Sequence, residues 1–440
     1  MKFIPALCAL AAVLFFSLRP SFADDDEPLH LKIKESGFVG LEAAQVIKGE
    51  DFSQGTEIDL NKKWQQRLLF QFVNDVTVSE RIRVIIAVEC QLNYSYPVNI
   101  AWPETQTSRF TFYPDRAEGT YSCGDPIAPF LQLGFGYFPF RTDPDVQNLG
   151  EFLFSSGTYP LYLNDNFNRP YARLLGLRAT LNLFETLRQD FLLTSDYFLV
   201  PLQDWSFSYL ASYTLAKCID VGAGIMFAHC FPVDNKITTP SDLGSSTTYP
   251  YIAENGDTGF YSFKGTKIMA RAAFDPKPLF PSFLSDAMGK KDLRLYGEVC
   301  IVGLSDYVNY DTTKYPYQFY NTMADRTLWM VGADIPAFKL LDVLALEFEY
   351  FPNRFPNSYQ QVFNNSTPIP LDVTASGRSI SPWKWSLYAK RTFLRNFALI
   401  GQIARDHFVF TNSNPKVQIK EDVLTRPGDM WWVLRLNANF

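Results

Sequence analysis

Beyond its first two dozen residues the chain lacks any long apolar run. VIIAV, Val84 to Val88, is among the longest, far below the roughly 18–20 residues of a membrane-crossing helix. Histidine is scarce: only His30, His229 and His407 occur, widely spaced. No cysteine pair has metal-ligand spacing. No serine lies in a G-x-S-x-G elbow, and there is no Gly-rich phosphate loop. No cofactor or metal is expected. Positive charge is not in excess: the formal net charge is -6, which argues against a nucleic-acid partner. No internal repeat, low-complexity tract or linker divides the 440 residues, so the chain reads as one domain.

Cysteine is also sparse. Cys8 lies in the first apolar segment, leaving Cys90, Cys123, Cys218, Cys230 and Cys300. An odd number leaves at least one thiol unpaired. Cys90 with Cys123 is the one pair worth testing as a disulfide, and small apolar residues in strands is the favoured reading.

The chain opens with Lys2, an apolar stretch from Ile4 to Leu18 and the small-residue end Ser21-Phe22-Ala23. This pattern is a secretory signal peptide, residues 1–23, cleaved after Ala23. Its removal takes away Lys2 and Arg19 and leaves a formal charge of about -8. The remainder, 24–440, would be a single barrel domain. Aromatics are abundant, at 16% with 39 Phe and 23 Tyr. A membrane barrel needs them at two interfaces.

Short segments alternate apolar and polar side chains with period two, as half-buried strands do. Leu68, Phe70, Ile86, Leu177, Leu295, Phe348, Trp385 and Leu436 fall on one face of their strands. Arg67, Arg83, Glu89, Arg178, Asp190, Arg294, Glu298, Glu347, Lys384 and Arg435 fall on the other. Short connections, such as those near Thr77–Glu80, Lys217–Cys218 and Leu394–Asn396, alternate with long polar ones such as Tyr96–Asp115 and Thr142–Pro170. Two connections break the rule. Pro276–Lys290 is long where a turn is needed, and Val200–Gln203 is short where a loop is needed. The count is about sixteen strands, with fourteen and eighteen as alternatives and with weak signals for the first strand and for the fourth, near Arg116–Cys123. The fold class is all-β: a transmembrane antiparallel barrel with short periplasmic turns, long outer loops and a water-filled lumen.

The last ten residues, WWVLRLNANF, put Trp432, Leu434, Leu436, Ala438 and Phe440 on one face. This stretch resembles the terminal recognition strand of Gram-negative outer-membrane barrels, although an aromatic usual two residues before the end is here Ala438. The whole mature chain resembles an outer-membrane porin-type protein. The resemblance implies insertion by the barrel-assembly machinery, contact with outer-membrane lipid, passage of small polar solutes and a possible homotrimer. It also implies a third outer loop folded into the lumen. By that resemblance Asp143, Asp145 and Glu151 would face some of Arg67, Arg83, Arg178 and Arg294, making a charged constriction. Asn148 to Phe154 could form a helical turn within this loop. The bland alternative is a surface loop that packs Phe152 and Phe154 on the rim.

Other functions remain as alternatives. Tyr315, Tyr317, Phe319 and Tyr320 could stack on sugars in a substrate-specific transporter, for glycans or hydrophobic solutes, or could simply pack loops together. A structural or adhesive barrel with an occluded lumen is a further class. Lipid-hydrolysing barrels carry Ser and His on the outer wall, and His229 falls on the outward face near the rim, but one rim histidine is more often an interfacial polar group. The reading is therefore of a channel and not an enzyme. Glu347 and Glu349, two residues apart on one face, suit a lumen wall as well as a cation site.

Overall fold

A computed structural model describes residues 31–51, 58–59, 61–95, 108–125, 127–154, 172–184, 186–195, 204–239, 242, 250–260, 262, 264–305, 308–315, 317–318, 322–350, 352, 371–372, 381–405 and 428–440. The expected signal peptide, the Val200–Gln203 connection, Phe319 and Tyr320 lie outside these residues.

Sixteen antiparallel strands close into one barrel. They are β1 (Lys32–Lys48), β2 (Trp64–Thr77), β3 (Ile82–Ser95), β4 (Ser108–Gly124), β5 (Pro129–Phe140), β6 (Ala172–Leu183), β7 (Leu187–Ser195) and β8 (Trp205–Leu215). They continue as β9 (Ile219–Phe231), β10 (Gly265–Phe274), β11 (Leu295–Ile301), β12 (Thr327–Asp334), β13 (Val343–Tyr350), β14 (Trp383–Phe393), β15 (Phe397–Arg405) and β16 (Met430–Asn439). Every strand pairs with its neighbours in sequence, and β1 pairs with both β2 and β16. Closure leaves no edge exposed.

The period-two pattern is what makes this possible. In β13, VLALEFEY, Leu344, Leu346 and Phe348 point outward while Glu347 and Glu349 are buried inward. Leu68, Phe70, Ile86, Leu177, Leu295, Phe348 and Leu436 are likewise exposed on the outer surface, and Trp385 is half-buried there. An apolar belt of this extent is far larger than a water-facing surface tolerates. It is the surface that a bilayer covers.

Several connections differ from the sequence expectation. Strand β4 starts at Ser108, not near Arg116. The register shifts where Ala87 and Val88 on β3 meet Arg116 and Pro114 on β4. The bulge accommodates a proline that would otherwise interrupt the ladder, and the short polar run hid the strand. The Pro276–Lys290 segment is a long connection, folded as a 3-10 turn (Lys277–Leu279) and a short helix (Ser282–Ala287). Three tight turns carry consecutive left-handed residues: Ala216 and Lys217, Phe338 and Lys339, Leu394 and Arg395. That handedness matches strand twist, without the Asn-Gly that usually announces it.

No disulfide joins Cys90 to Cys123; all five described cysteines are free. Cys90 lies opposite Phe112, near the start of β4, while Cys123 lies at its far end. At about 3.3 Å per residue the two are tens of ångströms apart, beyond any disulfide's reach.

Candidate functional site: a loop anchored inside the barrel

After β5 the chain does not stay on the rim. Residues Thr142 to Phe154, apart from the exposed Pro144, are buried or nearly so, and their contacts lie on the inner wall. The expected helical turn is confined to a turn at residues 152–154 and does not extend over Asn148 to Glu151. Gly150 and Glu151 take positive φ values of 88° and 59°, which turns successive backbone N–H groups the same way.

Buried irregular backbone needs a partner for every N–H. Three wall carboxyl groups supply them, since each has two oxygens that accept hydrogen bonds. Gln147, Asn148 and Leu149 N–H donate to Glu347 at 2.5, 2.9 and 2.9 Å. Gly150 N–H donates to Glu349 at 3.2 Å. Glu151 and Phe152 N–H each donate to Glu298 at 2.8 Å. The Tyr296 hydroxyl donates to Glu347 at 2.8 Å and adds a further tie. The loop leaves the barrel wall at β5 and is anchored on β11 and β13, and β13 stands eight strands round a ring of sixteen.

Apolar packing completes the anchor. Val146, Leu149, Phe152, Leu153 and Phe154 pack against inward side chains of β5 to β12, among them Phe138, Leu174, Leu210, Met226 and Met330. Phe154 meets Phe140 edge-on at 5.2 Å between ring centroids. At the level of the loop the inner wall from β5 to β12 is therefore lined by a packed core and not by water. That corrects the expectation of a wholly water-filled lumen. Rim packing of Phe152 and Phe154 is corrected as well: both belong to this internal core.

The loop's own acids are internally organised. The Glu151 carboxylate accepts from Thr142 N–H at 2.8 Å, from the Thr142 hydroxyl at 2.6 Å and from Asp143 N–H at 2.8 Å, with Arg141 at 3.8 Å. Burial, opposed by Arg141 and these hydrogen bonds, pushes its carboxyl up to about 7. Burial also raises Asp143, against the pull of Arg271. Asp143 accepts from Asp145 N–H at 2.9 Å. Asp145 pairs with Arg294 at 2.7 Å and Lys291 at 2.9 Å.

Of the four arginines expected to oppose the loop, Arg294 does so. The others pair with acids of the wall. Arg67 Nε donates to Glu42 at 2.6 Å, and Arg435 Nε donates to the same carboxylate at 2.8 Å. This buried trio joins β2, β1 and β16. Arg83 pairs with Asp75 at 2.5 Å, and Arg178 with Glu118 at 2.7 Å. Lys384 is buried on β14, opposite Glu349 in register. Glu298 and Glu347, expected as plain wall residues, turn out to hold the loop. Sequence reading missed this because the donors are main-chain groups. The one clue was Glu347 and Glu349 sharing a face, where a run of N–H groups takes the place of a cation.

His229 is not on the outer face. A register shift between β8 and β9 and a φ of 51° at His229 turn it inward. It is buried, 3.4 Å from Asp204. No cluster able to hold a metal occurs among the described residues. Tyr315 lies under the Lys314 ammonium at 5.4 Å.

No known family and no curated protein matches the chain. Solved structures do. A mutant of the Rhodopseudomonas blastica porin matches at TM-score 0.45 and 9% identity, over 93% of this chain and 100% of that one. Salmonella typhi OmpF, in complex with daunomycin, matches at TM-score 0.48 and 12% identity, over 93% and 98%. The closed order of sixteen strands itself defines the class: this is a porin-like antiparallel β-barrel.

Proposed function

We propose that the protein is an outer-membrane channel for passive diffusion of small polar solutes, with no chemical step. In this reading residues 1–23 are cleaved on export, the barrel of 24–440 is inserted by the barrel-assembly machinery through its last strand, and the molecule assembles as a homotrimer in outer-membrane lipid. One observation carries the solute-passage reading. Inner-wall guanidiniums such as Arg116 and Arg188 keep part of their surface in water beside a loop fixed across the barrel. A charged, water-reached passage narrowed by a rigid loop passes small polar solutes and excludes large ones. The constriction is formed by the loop, whose buried Asp143, Asp145 and Glu151 lie under the water-reached Arg141, Lys291 and Arg294.

A second reading, a substrate-specific or occluded barrel, is favoured by the burial of Glu42, Arg67 and Arg435 on the inner wall. Single-channel recording of refolded protein in a planar bilayer separates the two. Stable ohmic steps support diffusion. A folded, inserted protein that passes no current sinks it and leaves the specific or occluded barrel.

A further inference from the structure

In several inner-wall ion pairs the cation is the more exposed member, while the Glu42 trio with Arg67 and Arg435 and the Arg173–Asp115 pair are buried about equally. Arg116 is 28% exposed and its partner Glu118 0%. Arg188 is 51% exposed against 9% for Asp190, and Arg83 52% against 19% for Asp75. On the loop side, Arg141 is 30% exposed and Glu151 6%, while Lys291 and Arg294 stand at 26% and 24% over an Asp145 of 1%. Among these inner pairs Arg271 and Asp220 run the other way, at 6% and 24%. In the pairs of Glu118, Asp190, Asp75, Glu151 and Asp145 the carboxylate is the deeper member and the cation is the one that meets water.

The arginines fall on neighbouring strands at staggered heights, Arg83 and Arg188 near the short-turn ends, Arg116 and Arg178 about four residues further along the ladder, and Arg141 at the loop end. Arg83 lies on β3, Arg116 on β4, Arg141 at the end of β5, Arg178 on β6 and Arg188 on β7. One arginine therefore stands on or beside each of five successive strands, on the flank where the packed loop core begins. Arg178 is held there by Glu118 and by the Phe138 ring, 5.1 Å below its guanidinium. A pair whose positive end faces the passage presents a positive potential to a solute beside it. At physiological ionic strength charges act over about 8 Å. A passing solute therefore reads the arginines it touches and not the negative charge of the whole chain, which by itself points to cations.

We infer that the passage prefers anions, and that its solutes are small carboxylates, phosphates or other anionic polar molecules. The inference rests on the diffusion-channel reading above. Guanidinium forks recognise both anion types in the same planar geometry. The solute remains hydrated and meets the arginines at successive heights of the passage, since each guanidinium is already held by a wall or loop acid and offers only part of its donors.

The test is the reversal potential of the refolded wild-type protein in a planar bilayer under a potassium chloride gradient. The expected result is a chloride permeability several-fold above that of potassium. Arg188→Gln and, separately, Arg83→Gln should lower that ratio while the current steps persist, since both side chains are half in water, Asp75 is itself partly exposed and Asp190 keeps the Thr180 hydroxyl as a donor. Equal permeabilities, or a preference for potassium, overturn the inference while leaving the channel reading standing. A folded, inserted protein with no current overturns both.

Discussion

Gly37 and Phe440 exchange backbone hydrogen bonds across the seam that closes the barrel, Gly37 N–H to Phe440 at 3.1 Å and Phe440 N–H to Gly37 at 3.0 Å. The Phe440 ring stacks on Phe70 at 6.3 Å, above the space that Gly37 leaves open. A Cβ on Gly37 would lie 2.1 Å from the Gln71 carbonyl oxygen and 2.8 Å from the Phe440 ring. Gly37→Val should therefore part β1 from β2 and from the terminal residue. The expected outcome is a clear fall in folded yield on refolding into lipid vesicles, measured beside the wild type. An unchanged yield would refute the tight seam.

Glu42 is the only acid placed between Arg67 and Arg435 by the register of β2, β1 and β16. Glu42→Ala leaves two buried guanidiniums without this partner. Breaking a buried pair in that way costs about 3–5 kcal/mol. Urea unfolding of the vesicle-inserted protein should show a midpoint well below that of the wild type. The double replacement of Arg67 and Arg435 by Leu, together with Glu42→Leu, should recover much of the loss.

Glu347 gathers three loop N–H groups and one hydroxyl. Glu347→Ala strands those donors, at about 1–3 kcal/mol for each buried group left unsatisfied. The loop should then leave the wall while the barrel persists. Limited proteolysis within Asp143–Phe154 should become fast in the variant and stay slow in the wild type. Equal protection would show that the apolar core alone holds the loop.

Glu151 supplies a pH signature. Its folded carboxyl is raised from 4.5 to about 7 by burial, so the folded loop holds the proton more tightly than the unfolded chain. The resulting stabilisation is complete below about pH 4.5 and lost as pH rises through about 7. The thermal midpoint should fall between about pH 4.5 and pH 7, and Glu151→Gln should flatten that fall. An equally steep fall in the variant would assign the effect to other groups.

The barrel was legible because lipid outside and polar groups inside impose strict alternation, so Leu177 beside Arg178 or Phe348 beside Glu347 reports its own direction. Legibility failed where local chemistry interrupts the period. Pro114 and Asp115 hid half of β4, and a bulge reversed His229. Turns built on Lys217, Lys339 and Arg395 were found from the flanking strands and not from turn residues. The position of the third loop inside the barrel came from resemblance. Its anchoring could not be read, because Gln147 to Phe152 act through main-chain N–H groups that any residue but proline carries. Their acceptors lie 146 to 200 residues away in sequence.

That separation also orders the assembly in time. Hairpins from β2 to β9 pair residues close in sequence and can form early, whereas contacts between distant residues wait for the intervening chain. Until β11 and β13 arrive, Leu149 and Phe152 lack their carboxylate anchors, and the loop lacks the part of its apolar wall that β11 and β12 supply. A half-built barrel therefore carries a greasy, unpaired segment, and the stage just before β13 docks is when the nascent molecule is most prone to stick to another copy of itself.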